Sequence, residues 1–349
     1  MTRQLPQFNA MTDILREIAA QGIASVDRFQ LEVVEPCRPV VLRGLVSHWP
    51  IVRAAQRSAE ALRDLLAPFD NGGEIEAFFG QPAIAGKYYY ADDFKGFNFE
   101  RRRMRFAEAL EAIVGGLQRP ESGSVYVGSV PANEFLPGFS AQNPMPLLPA
   151  TVGPRLWLGH ASNVSAHFDA LDNLACVVAG SRRFTLYPPE AIAKLYVGPI
   201  DNTMAGQPVS LAASSAPDAT RYPLFEQVRG QALRAQLRPG DALYLPKLWW
   251  HQIEATAPFN ALVNYWWDAF AAGPDSPHTS MLLSMITIAE RPLKEREAWR
   301  AFFDHYVFRQ QGHPLAHVPP ERHGLLGPLK PDNYRKIRAR VMYLLRGGG

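Results

Sequence analysis

Between residues 155 and 269 the apolar and polar positions alternate in short runs broken by turn signals. Arg155–Leu158, Asn173–Val178, Arg183–Tyr187, Gln231–Leu237, Ala242–Leu245, Gln252–Ala255 and Ala261–Trp267 read as strands. Gly180-Ser181 joins two of them, Pro188-Pro189 ends one, and Pro239-Gly240-Asp241 makes a further turn. Short strands at this spacing predict a sandwich or barrel. The flanks follow another period. Apolar groups recur at helical spacing over about residues 8–20 (Phe8, Met11, Ile14, Leu15, Ile18), over 58–66 with Ser58 as N-cap, and over 105–115 with Phe106, Leu110 and Ile113 on one side. Strands are expected at 39–44 and 125–129. The Pro-, Gly- and Asn-rich stretch 131–154 reads as a long surface connection, and 198–224 as a polar insertion loop. After about Ser276 the pattern is helical again, first with Met281, Leu282, Met285 and Ile286, then with Trp299, Phe302, Phe303 and Tyr306. Residues 333–345 are basic and amphipathic. The expected organisation is an N-terminal α/β extension (1–120), a mainly β core (121–270) and a C-terminal helical segment (271–349).

Composition narrows the classes. Apolar residues make up 47% and charged residues 20%, a globular balance. A net charge of +3 with scattered arginines, clustered only at Arg101-Arg102-Arg103 and near the C-terminus, argues against nucleic acid as a partner. Two cysteines, Cys37 and Cys176, make no disulfide framework and read as buried free thiols. No run approaches the roughly 18 apolar residues of a membrane span. Residues 1–20 lack a signal-peptide core. The chain is expected to be soluble and cytoplasmic.

Chemistry concentrates at His167-Phe168-Asp169 and at His251, which lies 82 positions after the aspartate within Leu248-Trp249-Trp250-His251-Gln252-Ile253. Alternation along a strand turns His167 and Asp169 to one side and Phe168 to the other. His251 follows a turn and Pro246, at the start of a new strand. If that strand is an antiparallel neighbour, the three side chains meet. Two imidazoles and one carboxylate leave the opposite face of a metal open, the facial triad of non-haem Fe(II) oxygenases. His160 is the rival ligand. His48, His278, His305, His313, His317 and His323 are read as structural.

Longer blocks carry a resemblance. They are Asn163-Val164-Ser165-Ala166-His167-Phe168-Asp169 with Asn173, Gly180 to Pro189, Arg238-Pro239-Gly240-Asp241 through Pro246, Trp249 to Glu254, and Asn264-Tyr265-Trp266. In this order residues 155–267 resemble the cupin-like JmjC oxygenases, most closely the branch with the hypoxia-inducible factor asparaginyl hydroxylase. Weaker similarity reaches back to Val41-Leu42-Arg43-Gly44, Arg105 to Glu108 and Tyr126-Val127. The resemblance implies a double-stranded β-helix (jelly roll) that holds Fe(II) at His167, Asp169 and His251, uses 2-oxoglutarate and O2, and hydroxylates a C–H bond of a protein or peptide side chain. The same chemistry on a small molecule is an alternative. So are a metal-binding cupin module without turnover and a Zn or Mn enzyme with an extra ligand at His160 or Glu254.

For the distal carboxylate of 2-oxoglutarate the candidate is Arg182, 15 residues after His167, where the resembling hydroxylase carries Lys. A basic residue on an apolar inner face is costly unless paired. The family threonine, three residues before the first His, is replaced by Val164, with Ser165 beside it as the expected hydroxyl donor. Tyr126 matches a family tyrosine that reaches the same carboxylate. Asn173 and Asn264 match asparagines near the metal and the 1-carboxylate. Trp249, Trp250 and Trp266 are expected to exclude water, and Tyr88-Tyr89-Tyr90 to line a groove. In the resembling hydroxylase a C-terminal helical segment makes a homodimer, which is expected here too.

Overall fold

Every position of the strand Asp172–Ala179 is buried, which requires cover on both faces of its sheet. Leu174, Cys176 and Val178 pack into one apolar cluster. Ala175 and Val177 pack into another. This strand is the middle layer of the fold.

The computed structural model describes residues 15–23, 25–91, 96–200, 203, 206–213, 218–270 and 273–347. They form two compact units, one within residues 8–269 and the other within 270–349. The strands of the first, among the described residues, are β1 (Arg16–Ala19), β2 (Val40–Arg43), β3 (Glu74–Gly80), β4 (Lys87–Tyr88), β5 (Glu100–Arg105), β6 (Ser124–Pro131) and β7 (Pro154–Gly159), followed by β8 (Ser162–His167), β9 (Asp172–Ala179), β10 (Arg182–Tyr187), β11 (Leu233–Leu237), β12 (Ala242–Leu245), β13 (Trp250–Ala255) and β14 (Asn260–Trp267). One sheet runs β1-β2-β12-β9-β14-β7-β6-β3-β5, and the second runs β11-β10-β13-β8-β4. Val41, Ala175, Leu243 and Leu262 of the large sheet meet Phe184, Leu186, Leu233 and Ala235 of the small one. The result is a mainly β jelly-roll core with flanking helices. The helices Pro50–Arg57, Ala59–Leu66 and Phe106–Gly116 cover the outer face of the large sheet through Ile51, Val52, Leu62, Leu66, Leu110 and Ile113. Ser58 caps the second of them, its Oγ accepting from Ala61 N at 3.0 Å.

Several expectations are corrected. Arg16–Ala19 is not helical. It lies parallel to β2 as an edge strand, and Glu17 reaches Arg43 at 2.6 Å, so tertiary pairing overrides helical periodicity. Residues 8–14 of that expected helix lie outside the described residues. Position 120 divides nothing in the structure, because β3 upstream pairs with β6 downstream within one sheet. The 131–154 stretch is no surface connection. Leu136, Phe139 and Asn143 are fully buried there, and the Asn143 amide accepts from Ile51 N and donates to the Phe139 carbonyl. The 198–224 loop, where described, buries Val209, Ser210, Ala212 and Ala213. Cys37 is exposed, whereas Cys176 is buried.

The turn before β12 clasps the sheet edge. Asp241 accepts from Arg43 Nη1 at 2.7 Å, Gly44 N at 3.0 Å and Arg238 N at 3.1 Å. In the second unit the helices Pro277–Ile288, Leu293–Phe303 and Pro331–Leu345 bury no residue completely. No helix among the described residues is long and apolar enough to cross a membrane.

Gly180, at φ +72°, turns the chain into β10. A Cβ there would overlap Asn260 Oδ1 and sit 2.5 Å from the Phe259 carbonyl oxygen. Gly180→Ala is expected to cost at least about 2 kcal/mol, from left-handed strain plus the clash, read as a lower urea midpoint with unchanged slope.

Candidate metal centre

His167 is the last residue of β8, and Asp169 sits just beyond it. Leu248 N donates to the Asp169 carbonyl at 2.9 Å, so the segment leading into β13 is tied to the aspartate turn. His251, the second residue of β13, lies directly opposite His167. The imidazole centroids are 4.4 Å apart, and His251 Nε2 is 3.8 Å from Asp169 Oδ2. One ligand atom from each of the three side chains lies within 4.8 Å of the others.

Backbone carbonyls select the ring nitrogen. His167 Nδ1 lies 3.0 Å from the Ser165 oxygen, and His251 Nδ1 lies 2.9 Å from the Trp249 oxygen. A carbonyl only accepts, so each Nδ1 carries the proton and each Nε2 keeps its lone pair for a metal. Burial, and His251 beside it, pull the His167 imidazole down to about 4, with Asp169 opposing. It is therefore neutral, as ligation requires.

The carboxylate is held by a one-way chain of donors. Trp157 Nε1 donates to Asn264 Oδ1 at 2.6 Å, Asn264 Nδ2 to Asn173 Oδ1 at 3.1 Å, and Asn173 Nδ2 to Asp169 Oδ2 at 2.9 Å. Trp266 Nε1 donates to the same oxygen at 3.0 Å. The indole N–H fixes the direction of both amides, since it can only donate. Two neutral nitrogens and one hydrogen-bonded carboxylate fit a divalent cation with about 2.0–2.2 Å bonds.

The triad opens into a cavity of about 410 Å³. Its wall carries Tyr126, Asn173, Arg182 and Asn264 with the triad, along with Tyr88, Val164, Trp157 and Trp266. Arg182 is 4% exposed, and its Nε finds no hydrogen-bond partner. Among the described residues it has no ion-pair partner either. Burial depresses its pKa, and Tyr126 nearby opposes that. Burial also pushes the Tyr126 phenol up to about 12. Tyr88 adds its ring 5.5 Å from that of Tyr126.

Ser165 is not where the sequence placed it. The β8–β13 register shifts between His251 and Ile253, which pair with His167 and Val164. The bulge inserts one residue, so Val164 and His167 both face the cavity, while Ser165 is buried off its wall. The hydroxyl expected at this position is replaced by an apolar wall. The rival ligands are otherwise engaged. His160 Nδ1 accepts from Val125 N at 3.0 Å, and its Nε2 faces the Ile113 carbonyl at 2.8 Å. Glu254 pairs with Arg183 at 3.2 Å. Phe168 packs edge-on against Trp250, away from the triad. Of the expected tryptophans only Trp266 lines the cavity. Trp249 and Trp250 are core. Trp157 and Arg155 were missed as site residues. Their signal was the alternation in Arg155-Leu156-Trp157-Leu158, whose two leucines are the core-facing pair.

Residues 26–273 match the model of the cupin-like domain. The chain belongs to the cupin-like domain family. Its relatives include the human bifunctional peptidase and (3S)-lysyl hydroxylase JMJD7, 29% identical over 275 residues, which span 69% of this chain and 80% of that protein. The Jumonji C domain-containing protein 5 of Drosophila melanogaster is 28% identical over 76% of this chain and 63% of its own length. Lysine-specific demethylase 8 of Xenopus tropicalis is 24% identical over 70% of this chain and 51% of its own length. This cupin-like chain is thus of the JmjC type.

His251→Ala is expected to abolish Mn(II) binding in anaerobic calorimetry, and Asn173→Ala to weaken it about 10–100-fold through the loosened carboxylate. His160→Ala should lower Tm and leave metal affinity unchanged. Metal loss in that variant would reinstate His160 as a ligand.

Proposed function

We propose that this chain is an Fe(II)- and 2-oxoglutarate-dependent oxygenase that hydroxylates a C–H bond in a protein or peptide side chain. The observation that carries the reading is the joint placement of the triad and a buried, unpaired Arg182 in one cavity. A cation so far from water demands an anionic partner, and a dicarboxylate cosubstrate provides one.

When bound, ferrous iron and the keto acid supply the oxidising chemistry, in which O2 converts 2-oxoglutarate to succinate and CO2 and hydroxylates the substrate. The residues of the chain set the conditions. His167 and His251 present lone pairs held in place by the Ser165 and Trp249 carbonyls. Asp169 is oriented by Asn173 and Trp266. Arg182 receives the distal carboxylate, with Tyr126 beside it. Val164, Phe184, Ile253 and Leu262 line the cavity with apolar surface that limits water.

The protein substrate is supported by the printed activity of the human relative, a lysyl hydroxylase. The exposed free Cys37 fits a reducing, cytoplasmic setting. A second copy of the chain is proposed to cover the C-terminal helices. They expose Met281, Leu282, Met285, Ile286, Trp299 and Phe302, with Ile286 at 83%. Contiguous apolar exposure of this kind marks an interface.

Arg182→Gln is expected to raise KM for 2-oxoglutarate about 10–150-fold, since a charge-assisted contact is worth about 1.5–3 kcal/mol. Anaerobic Fe(II) with 2-oxoglutarate should give a weak visible band that needs both additions. If the band and succinate formation under air are both missing, the chain is a metal-binding module without turnover. Light scattering should report a dimer, and Ile286→Asp a monomer.

A further inference from the structure

The cavity holds a second cation that the proposed chemistry does not use. Arg155, at the start of β7, lines the wall. Its Nε donates to Ser129 Oγ at 2.6 Å and its Nη2 to the Ser129 carbonyl at 2.9 Å. The guanidinium carbon lies 5.5 Å from the centroid of Trp266, the indole bonded to Asp169. Among the described residues no carboxylate forms an ion pair with Arg155, Glu134 acting on it only from farther away, and its Nη1 makes no hydrogen bond. Besides Asp169, the acidic residue on the wall is Glu76, which lies 3.9 Å from Arg101.

The clamp is built at a backbone cost. The β6–β7 register shifts between Val127 and Val130, a bulge that re-aims Ser129. Ser129 sits at φ +59°, strain of a sort that persists where the surroundings over-determine it, commonly at binding sites. Gly128 beside it has no room for more, since a Cβ would meet the Trp157 ring at 3.2 Å. Ser129 occupies the Nε–Nη2 edge of the guanidinium. The Nη1–Nη2 end remains, a fork that matches a planar two-oxygen acceptor.

Arg155 is also distinct from Arg182 in place. On β7, Arg155 pairs with Pro131, and Gly159 pairs with Tyr126. Four residues of strand, about 13 Å, therefore separate Arg155 from the level of Tyr126, the neighbour of Arg182. Opposite Arg155 on β14 is Asn264, and Trp266, two residues on, pairs with Asn173 at the metal end.

We propose that Arg155, clamped by Ser129, is a specificity subsite for a substrate carboxylate, so that the side chain presented to the metal is acidic or stands next to an acidic group. This rests on the oxygenase reading and adds its substrate class. Arg155 does not touch the reacting bond. It fixes the substrate through a two-oxygen contact beside the indole that steadies Asp169.

The test uses the full chain loaded with Mn(II) and N-oxalylglycine, which fills the Arg182 end. Calorimetry compares Ac-Gly-Asp-Gly-NH2 with its neutral isostere Ac-Gly-Asn-Gly-NH2 and with the phosphoserine tripeptide. The aspartyl peptide is expected to bind at least about tenfold tighter than the asparaginyl one, and Arg155→Gln to erase the difference. Ser129→Ala, which keeps the charge and loosens the clamp, should weaken the aspartyl peptide severalfold and leave the asparaginyl one unaltered. Equal affinities, no binding of either peptide, or a preference that survives in both variants overturns the subsite. Tighter binding of the phosphoserine peptide overturns the carboxylate assignment in favour of phosphate. The anaerobic band of the unmodified protein is recorded on the same preparation. Its absence sinks the oxygenase reading, whereas its presence with equal peptide affinities sinks this inference alone.

Discussion

Two hydrogen bonds from imidazole Nδ1 to the carbonyl two residues upstream decide what the centre can hold. Without them each histidine is free to turn either nitrogen inward. With them both Nε2 lone pairs point at one place, 3.8 Å from the Asp169 carboxylate in the case of His251. β8 supplies one of those carbonyls and the residue just before β13 the other, so the ligand set is a property of the β8–β13 seam rather than of three independent side chains. The aspartate has an equivalent restraint in the amide chain from Trp157. That chain begins on β7 and crosses β14 and β9, which makes the large sheet the support of one ligand and the small sheet the support of the other two.

The cavity is electrostatically lopsided. Arg182 is buried without a partner, and Arg155 is held by neutral groups. Of the two acids among the described residues of its wall, Asp169 is a ligand and Glu76 lies beside Arg101. Such a chamber favours anions over cations at both ends, and a divalent metal between them adds to the same bias.

Much of this was legible in the chain. His167, Asp169 and His251 could be placed together because alternation sends residues two apart to one side, although Asp169 lies just past the end of β8, and the third follows a Pro-Gly-Asp turn. The mainly β core was legible in the short alternating runs, and the β9 run was apolar because both its faces are covered. What escaped has physical causes. A bulge leaves no mark in composition, so Val164 and Ser165 exchanged sides unseen. β3 and β5 carry Glu and Arg where a strand signal expects apolar residues. Arg101 instead stacks over Phe78, Phe97 and Phe99, a charged edge that disfavours pairing with another chain. Arg155 was read as part of a strand and nothing more, because its meaning depends on Ser129, 26 residues earlier.

The irregularity in β8 sets the phase of everything before it. Deleting one residue between Val164 and His167 would restore regular pairing and look like an improvement in the lattice. Val164 would then stand two residues before His167 and keep its place opposite Ile253, whereas straightening the strand at its full length would bring Ser165 to the wall and turn Val164 outward. The site's frame is thus stored in a defect: the extra residue held in the bulge decides which of Val164 and Ser165 faces the cavity.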